Sequence, residues 1–339
     1  MRRHLVGFAL LSLTATSAVA QRVVPGAVWR DTSGKVIQAH GGGVTPEGAY
    51  WYWFGEDRSQ DLPKERRAVH VYRSRDLMTW EDRGRALEMG EPAEYVAQYG
   101  TDWQLERPKV FVAAPGSKHR YVMYVHLDAA YKAAEVGVAV ADRMEGPYTL
   151  VKHFRPLGEE SRDIGQFVDD DGTNYLIFEA RPTKGFFIAK LSADALEVVE
   201  KTAFVPAPLE GGAVVRTGGL YFCIGSHMTG WKPNPDVYAT AKSLAGPWST
   251  FQNLAPPEMN TYGGQSAELL KVAGRDGRPD AVIFIGDIWK PQALWDSRYL
   301  WMPLQVRNGA MMLPKPEPWS IDVNTGAVKI FHTAEGVTE

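Results

Sequence analysis

Short apolar runs, punctuated by turns containing Gly, Pro or Asp, recur along this chain. Five of them lie at residues 50–55 (YWYWFG), 121–127 (YVMYVHL), 175–178 (YLIF), 220–225 (LYFCIG) and 281–286 (AVIFIG). They are rich in the aromatic and β-branched residues that favour strands. Each follows a turn, at 46–48, 115–117, 169–172, 217–219 and 275–277. Each is followed closely by a polar residue: Glu56, Asp128, Glu179, Ser226 and Asp287. Another short apolar strand precedes each turn. After most runs comes a polar turn ending in an aromatic, as in Gly146-Pro147-Tyr148 and Gly246-Pro247-Trp248; residues 189–194 are a degenerate copy. A period of roughly 45–70 residues with about four short strands per unit predicts an all-β protein, a five-bladed β-propeller. A β-sandwich is the alternative, but it does not require a repeated unit. Helical signals are confined to 88–99 and 129–135, and segments 24–30 and 319–331 are the candidates for strands that close the ring.

The chain has 339 residues, within reach of one large all-β domain, and no linker divides it after residue 20. Residues 1–20 read as a signal peptide: Arg2 and Arg3 supply the positive start, Leu5 to Leu13 the apolar middle, and Ala18-Val19-Ala20 the cleavage site. The expected mature chain, 21–339, is a single propeller domain without a membrane anchor. It is expected to act as a monomer in the periplasm or outside the cell. The one cysteine, Cys223, rules out an internal disulfide, so stability must come from the core. Lying mid-strand in an apolar run, it reads as a buried small hydrophobe. Aromatics make up 11% of residues, including 11 Trp, which suits a large core, an aromatic binding surface or both. A net charge of −3 and the lack of any Lys/Arg cluster argue against a nucleic-acid partner.

In a propeller the first strand of each blade faces the central axis. The same position in each unit is occupied by His40, Glu106, Asp163, Glu210 and Gln265. Glu210 lies in a Gly-flanked apolar segment, where glycine lets a ligand or another backbone come close. Five polar residues, three of them acidic, converging on one place suit glycoside hydrolysis. That reaction needs a protonated acid on the leaving oxygen and a second group that activates water or attacks the sugar. A third carboxylate raises the acid's pKa by like-charge repulsion. Sugars also bind aromatic faces; Trp51, Trp53, Trp103, Trp231, Trp289 and Trp301 are available, and Trp231, in its Gly-Trp-Lys-Pro-Asn234 loop, is the best platform. There is no nucleophile elbow and no phosphate loop, and the eight histidines lack zinc-ligand spacing. Residues 169–172 have the acidic composition of a calcium loop but not its alternating spacing, so a hairpin turn is the better reading.

At these residues the chain resembles glycoside hydrolase family 43, a family of five-bladed propellers, and within it the exo-β-1,3-galactanase branch. The matching stretches are 39–43 (AHGGG) with 53–56 (WFGE), 106–110 (ERPKV), 161–164 (SRDI) with 168–172 (VDDDG), and 210–211 (EG). They continue with 229–234 (TGWKPN), 246–248 (GPW), 265–266 (QS), and 286–289 (GDIW) with 296–299 (DSRY). The resemblance implies inversion by single displacement, with Glu210 as general acid and Asp163 as the carboxylate that tunes and orients it. The aspartate base of the wider family is absent here, where Ala39-His40-Gly41 stands. In the galactanase branch a glutamine matching Gln265 takes the base's place, with a glutamate matching Glu106 near the sugar. A neutral amide is a poor base, so Glu106 is the alternative. Glu56, His40, Trp231, Trp103 and Asn234 are assigned to the substrate. One stretch departs from the branch: 178–185 reads FEARPTKG where the galactanases carry a Ser-Ser-Glu-x-Asn type segment. The expected function is a secreted, inverting, exo-acting hydrolase of the β-1,3-galactan backbone of arabinogalactan, with an oligo- or polysaccharide as its partner. An arabinofuranosidase or galactofuranosidase specificity, or a non-catalytic carbohydrate-binding propeller, are the alternatives. No cofactor is required; a structural calcium or other ion on the propeller axis is the one metal expectation.

Overall fold

A computed structural model describes residues 21–332, so the leader assigned to 1–20 lies outside the described residues. Five antiparallel sheets follow one another along the chain, each with its strands in sequence order. The first strands of the five sheets are His40–Glu47, Trp103–Val112, Ile164–Val168, Leu209–Thr217 and Gln265–Val272. Each packs against the first strand of the next sheet, and the fifth returns to the first, which makes the ring of a five-bladed propeller. The second strands are Tyr50–Glu56, Tyr121–Ala129, Asn174–Ala180, Leu220–His227 and Ala281–Ile288.

The repeated apolar runs are these second strands, and their near-continuous hydrophobicity has a simple cause. Each blade is covered by a neighbour on both faces, so residues of both parities are buried. In the second blade Met123 and Val125 pack toward the first blade, while Val122 and Tyr124 pack toward the third. Cys223 is fully buried between blades three and four, where burial pushes its thiol up to about 12. The turn at 169–172 is a hairpin turn: Asp169 N–H donates to Thr173 O and Gly172 N–H to Asp169 O.

The fifth blade has three strands, and its closure differs from the expected shared strands. Segment 24–30 is not a strand. It lies along the third strand of blade five, where Gly26 N–H donates to Tyr299 O (2.8 Å), and it carries Trp29 into a cluster with Trp53, Tyr299 and Trp301. Trp319–Asp322 pairs with Ala327–Ile330, Trp319 also makes a single antiparallel bridge to Val23, and Trp319 Nε1 donates to Trp301 O. Aromatic packing therefore joins blade one to blade five. Of the two helical segments, the first contains a helix at Ala93–Tyr99. The second is not helical: Ala130, Tyr131 and Ala134 have left-handed φ (51°, 52° and 48°), and this turn carries Tyr131 over the axis.

One irregularity of the inner strands positions the site. Pairing with the second strand slips between His40 and Gly43, between Glu106 and Lys109, and between Glu210 and Ala213. In each bulge the residue after the first has left-handed φ: Gly41 (58°), Arg107 (52°) and Gly211 (64°). Such a bulge bends the strand and re-aims its neighbouring side chains. Glycine adopts this conformation freely, whereas at Arg107 it costs on the order of 1–2 kcal/mol.

Beneath the bulges, side chains from three inner strands fill the axis. Fully buried Lys109 donates to Gly41 O and Gly42 O, both at 2.9 Å. Glu268 accepts from Val44 N–H (2.6 Å) and from Gln166 Nε2 (3.1 Å), and Gln166 Oε1 accepts from Val110 N–H. Burial pushes the Lys109 pKa down to about 8, against the charge of Glu268. The carbonyls that would suit an axial metal ion thus already hold an ammonium. Among the described residues no three His, Cys, Asp or Glu side chains are arranged to hold one. These residues do not fit an axial ion. Lys109→Met would strand both carbonyls and leave Glu268 buried without its cation. It is expected to cost about 3 kcal/mol or more in urea unfolding; a loss under about 1 kcal/mol would show that the ammonium does not hold the ring together.

Candidate active site

The bulged ends of the inner strands open into a cavity of about 280 Å³. Around it, residues near the heads of four inner strands face residues near the ends of the strands beside them. Glu106 faces His126, Glu210 faces Ser226, and Gln265 faces Asp287 across the first ladder; the Asp163 carbonyl accepts from Glu179 N–H.

Glu210 is buried, and its Oε1 accepts from Gln265 Nε2 at 2.9 Å. Asp163 reaches it through the backbone: Asp163 Oδ2 accepts from the N–H of Gly211 (3.0 Å) and pairs with Arg107 Nη2 (2.8 Å). Glu179 is fully buried behind them, with Oε2 unpartnered. Burial raises the Glu179 carboxyl to about 7, with the charge of Asp163 adding to the shift. Burial, then the charges of Asp163 and Glu179, raises Glu210 to about 8 against the opposing Arg107 and Arg181. Glu210 is therefore a carboxylic acid at neutral pH, able to donate a proton. Activity that depends on that proton is lost as pH rises through about 8. Removing the neighbouring charge in Asp163→Asn is expected to move this alkaline limb to lower pH by about one unit in a kcat/KM profile. An unmoved limb would separate Asp163 from the acid.

Across the cavity the second carboxylate behaves in the opposite way. Burial would raise Glu106, but His126 outweighs it, helped by Arg58 and Arg107, and holds it at about 2. His126 Nδ1 lies 3.2 Å from Glu106 Oε2, and its Nε2 lies 3.2 Å from Asp128 Oδ2; against burial, these two carboxylates lift it to about 9. Arg58 pairs with Glu56 and lies 3.3 Å from Glu106 Oε1. Glu56 also accepts from Arg107 N–H (3.0 Å), and burial raises its carboxyl. Gln265 Oε1 accepts from Arg107 Nη2 (2.8 Å) and Trp289 Nε1 (2.9 Å), while its Nε2 donates to Glu210 and Ser226. Trp231 is half-exposed at the mouth, edge-on to Trp289 with centroids 5.5 Å apart.

Glu56, Glu106, Asp163, Glu210, Gln265 and Trp231 all line this cavity. His40, Trp103 and Asn234 do not. His40 is fully buried beneath the floor, with Nδ1 2.9 Å from Asp287 Oδ1 and its ring stacked on Tyr299, because Asp287 also anchors the bulge at Gly41 N–H. Trp103 is core of the second blade, capped by Arg67. Asn234 closes the loop that presents Trp231, bonding His227 N–H and O and Thr229 Oγ1. Sequence reasoning passed over Arg58, Arg107, His126, Tyr131, Arg162 and Arg181, all in the lining. Arg107 and Arg162 sit inside the motifs 106–110 and 161–164, and Glu179 is one of the polar residues that follow the repeated runs.

The family model for glycosyl hydrolases family 43 matches residues 47–271. The chain belongs to that family. It is a glycoside hydrolase, and the propeller and cavity described above are those of a family-43 member. Among solved structures it is similar to an exo-β-1,3-galactanase from Phanerochaete chrysosporium, with 38% identity and a TM-score of 0.82, covering 92% of this chain and 71% of that one. It is also similar to an exo-β-1,3-galactanase from Clostridium thermocellum, with 30% identity and a TM-score of 0.80, covering 93% and 70%. A curated relative, an arabinoxylan arabinofuranohydrolase from Bacillus subtilis, is 27% identical over 217 residues, 53% of this chain and 41% of that protein's length.

Proposed function

We propose that this family-43 hydrolase removes terminal galactose from β-1,3-galactan with inversion, as an exported, monomeric enzyme acting in the periplasm or outside the cell. The observation that carries the chemistry is Glu210, a buried carboxyl whose pKa lies near 8 opposite a carboxylate, Glu106, held near 2. Two carboxyls pushed apart in this way divide into an acid and a base. Glu210 protonates the glycosidic oxygen as the bond breaks. Glu106 takes the proton of the water that attacks the opposite face, where inversion places it. Gln265 is a weaker choice for that proton, because both lone pairs of its Oε1 already accept N–H bonds. Its part is to hold Glu210 in place. Likeness to exo-β-1,3-galactanases at 30% and 38% identity supports the sugar and the linkage. Export is supported by the leader-like residues 1–20. No cofactor enters this reaction.

The test is proton NMR of β-1,3-galactobiose and galactotriose treated with the chain 21–339, with and without EDTA. Early release of α-galactose from the non-reducing end, at equal rates in both tubes, is expected. Arabinose freed from an arabinofuranoside in its place would move the protein toward the specificity of its Bacillus subtilis relative. Sugar binding without turnover would make it a binding propeller.

A further inference from the structure

Four arginines line the cavity, and three are committed to carboxylates. Arg58 is held by Glu56 and Glu106, Arg107 by Asp163, and Arg162 by Asp128 and Glu160; their side chains are 18%, 6% and 9% exposed. Arg181 differs. It opens the exposed turn 181–184 in the stretch that departs from the galactanase pattern, and its side chain is 47% exposed. Its bonds to the protein are long: Nε lies 3.3 Å from Glu179 Oε1, and Nη2 lies 3.6 Å from Glu210 Oε2.

The position of Arg181 says which part of the substrate it meets. The general acid protonates the oxygen that departs with the leaving sugar, so a group on the solvent side of the acid faces that sugar. Its charge says what it seeks there. Glu179 and Glu210 are both raised toward or above neutral pH. In the protonation state that turns over, Glu210 is neutral, so the guanidinium faces an uncharged carboxylic acid, beside a Glu179 raised to about 7, with the charge of Asp163 further off. A guanidinium fork matches a carboxylate with two parallel bonds.

We infer that Arg181 determines specificity for the leaving sugar and takes a carboxylate there, so that the chain prefers to cleave a galactosyl residue from a uronic acid. This rests on the galactosidase reading above. It does not alter the chemistry, because Glu210 and Glu106 act on the bond whichever sugar leaves.

The test compares kcat/KM for β-galactosyl-1,3-galactose and β-galactosyl-1,3-galacturonate at pH 6 and low salt. The wild type is expected to favour the uronate about tenfold, the scale of one hydrogen-bonded charge pair. The preference should shrink in 0.5 M NaCl, where the screening length is about twofold shorter than at 0.1 M. Arg181→Gln should bring the ratio to about one, and Arg181→Lys should keep part of it. The ratio is the diagnostic quantity, because both substrates use the same acid and any change in its pKa cancels. A ratio unmoved by Arg181→Gln, or a wild type that rejects the uronate, overturns the inference. If the wild type cleaves neither disaccharide, the galactosidase reading fails, and calorimetry decides Arg181 separately. Galacturonate binding tighter than galactose in the wild type and lost in Arg181→Gln sustains the role; equal binding in both proteins ends it.

Discussion

Glu210→Gln is expected to lower kcat on β-1,3-galactobiose by about 1,000-fold or more while leaving the dissociation constant of the sugar within a few-fold of wild type. The amide keeps the shape of the side chain and the contact with Gln265, which lies 2.9 Å from Oε1. It removes the proton that Asp163, Glu179 and burial keep on the carboxyl. The loss should be smallest on substrates whose leaving group needs no protonation, such as an activated aryl galactoside. Turnover of galactobiose within tenfold of wild type would take the acid's role away from Glu210. Calorimetry on the same variant distinguishes lost chemistry from lost folding.

The second large effect concerns the water. Glu106→Ala is expected to lower kcat by about 100- to 1,000-fold, and added azide should restore turnover by forming α-galactosyl azide. Azide can occupy the space left by the carboxylate and attack without giving up a proton. Gln265→Ala should also slow the enzyme, because it releases Glu210, Arg107 and Trp289 together, but azide should not rescue it. Rescue of Gln265→Ala and not of Glu106→Ala would transfer the water to the amide. The contrast between the two carboxyls follows from their partners. Glu210 lies among Asp163 and Glu179, whereas Glu106 lies between His126 and Arg58.

Much of this arrangement was legible in the chain. A strand covered on both faces reads as an unbroken apolar run, and five such runs, each after a turn, describe five blades. Once the blades are aligned, the residue heading each inner strand is fixed, which brought Glu106, Asp163, Glu210 and Gln265 to one cavity. The same alignment placed His40 with them, and there it misled. Asp287, which comes from a different blade, draws the imidazole under the floor and uses its other oxygen to hold Gly41. Trp103 carried no mark distinguishing a core indole from a sugar platform, since burial depends on the strand face it takes.

The order of strands, the identity of the inner row and the residue types at the axis follow from local spacing, because β periodicity and turn chemistry act over a few residues. Which members of that row reach the cavity, and with what charge, was decided by the fold. The left-handed residues Gly41, Arg107 and Gly211 re-aim the strand ends. The arginines that neutralise one carboxyl and spare another arrive from other blades: Arg107 meets Asp163, 56 residues on in the chain, only because their inner strands are neighbours in the ring. A pKa is a sum over such neighbours in space, so acid and base became distinguishable only when the ring closed.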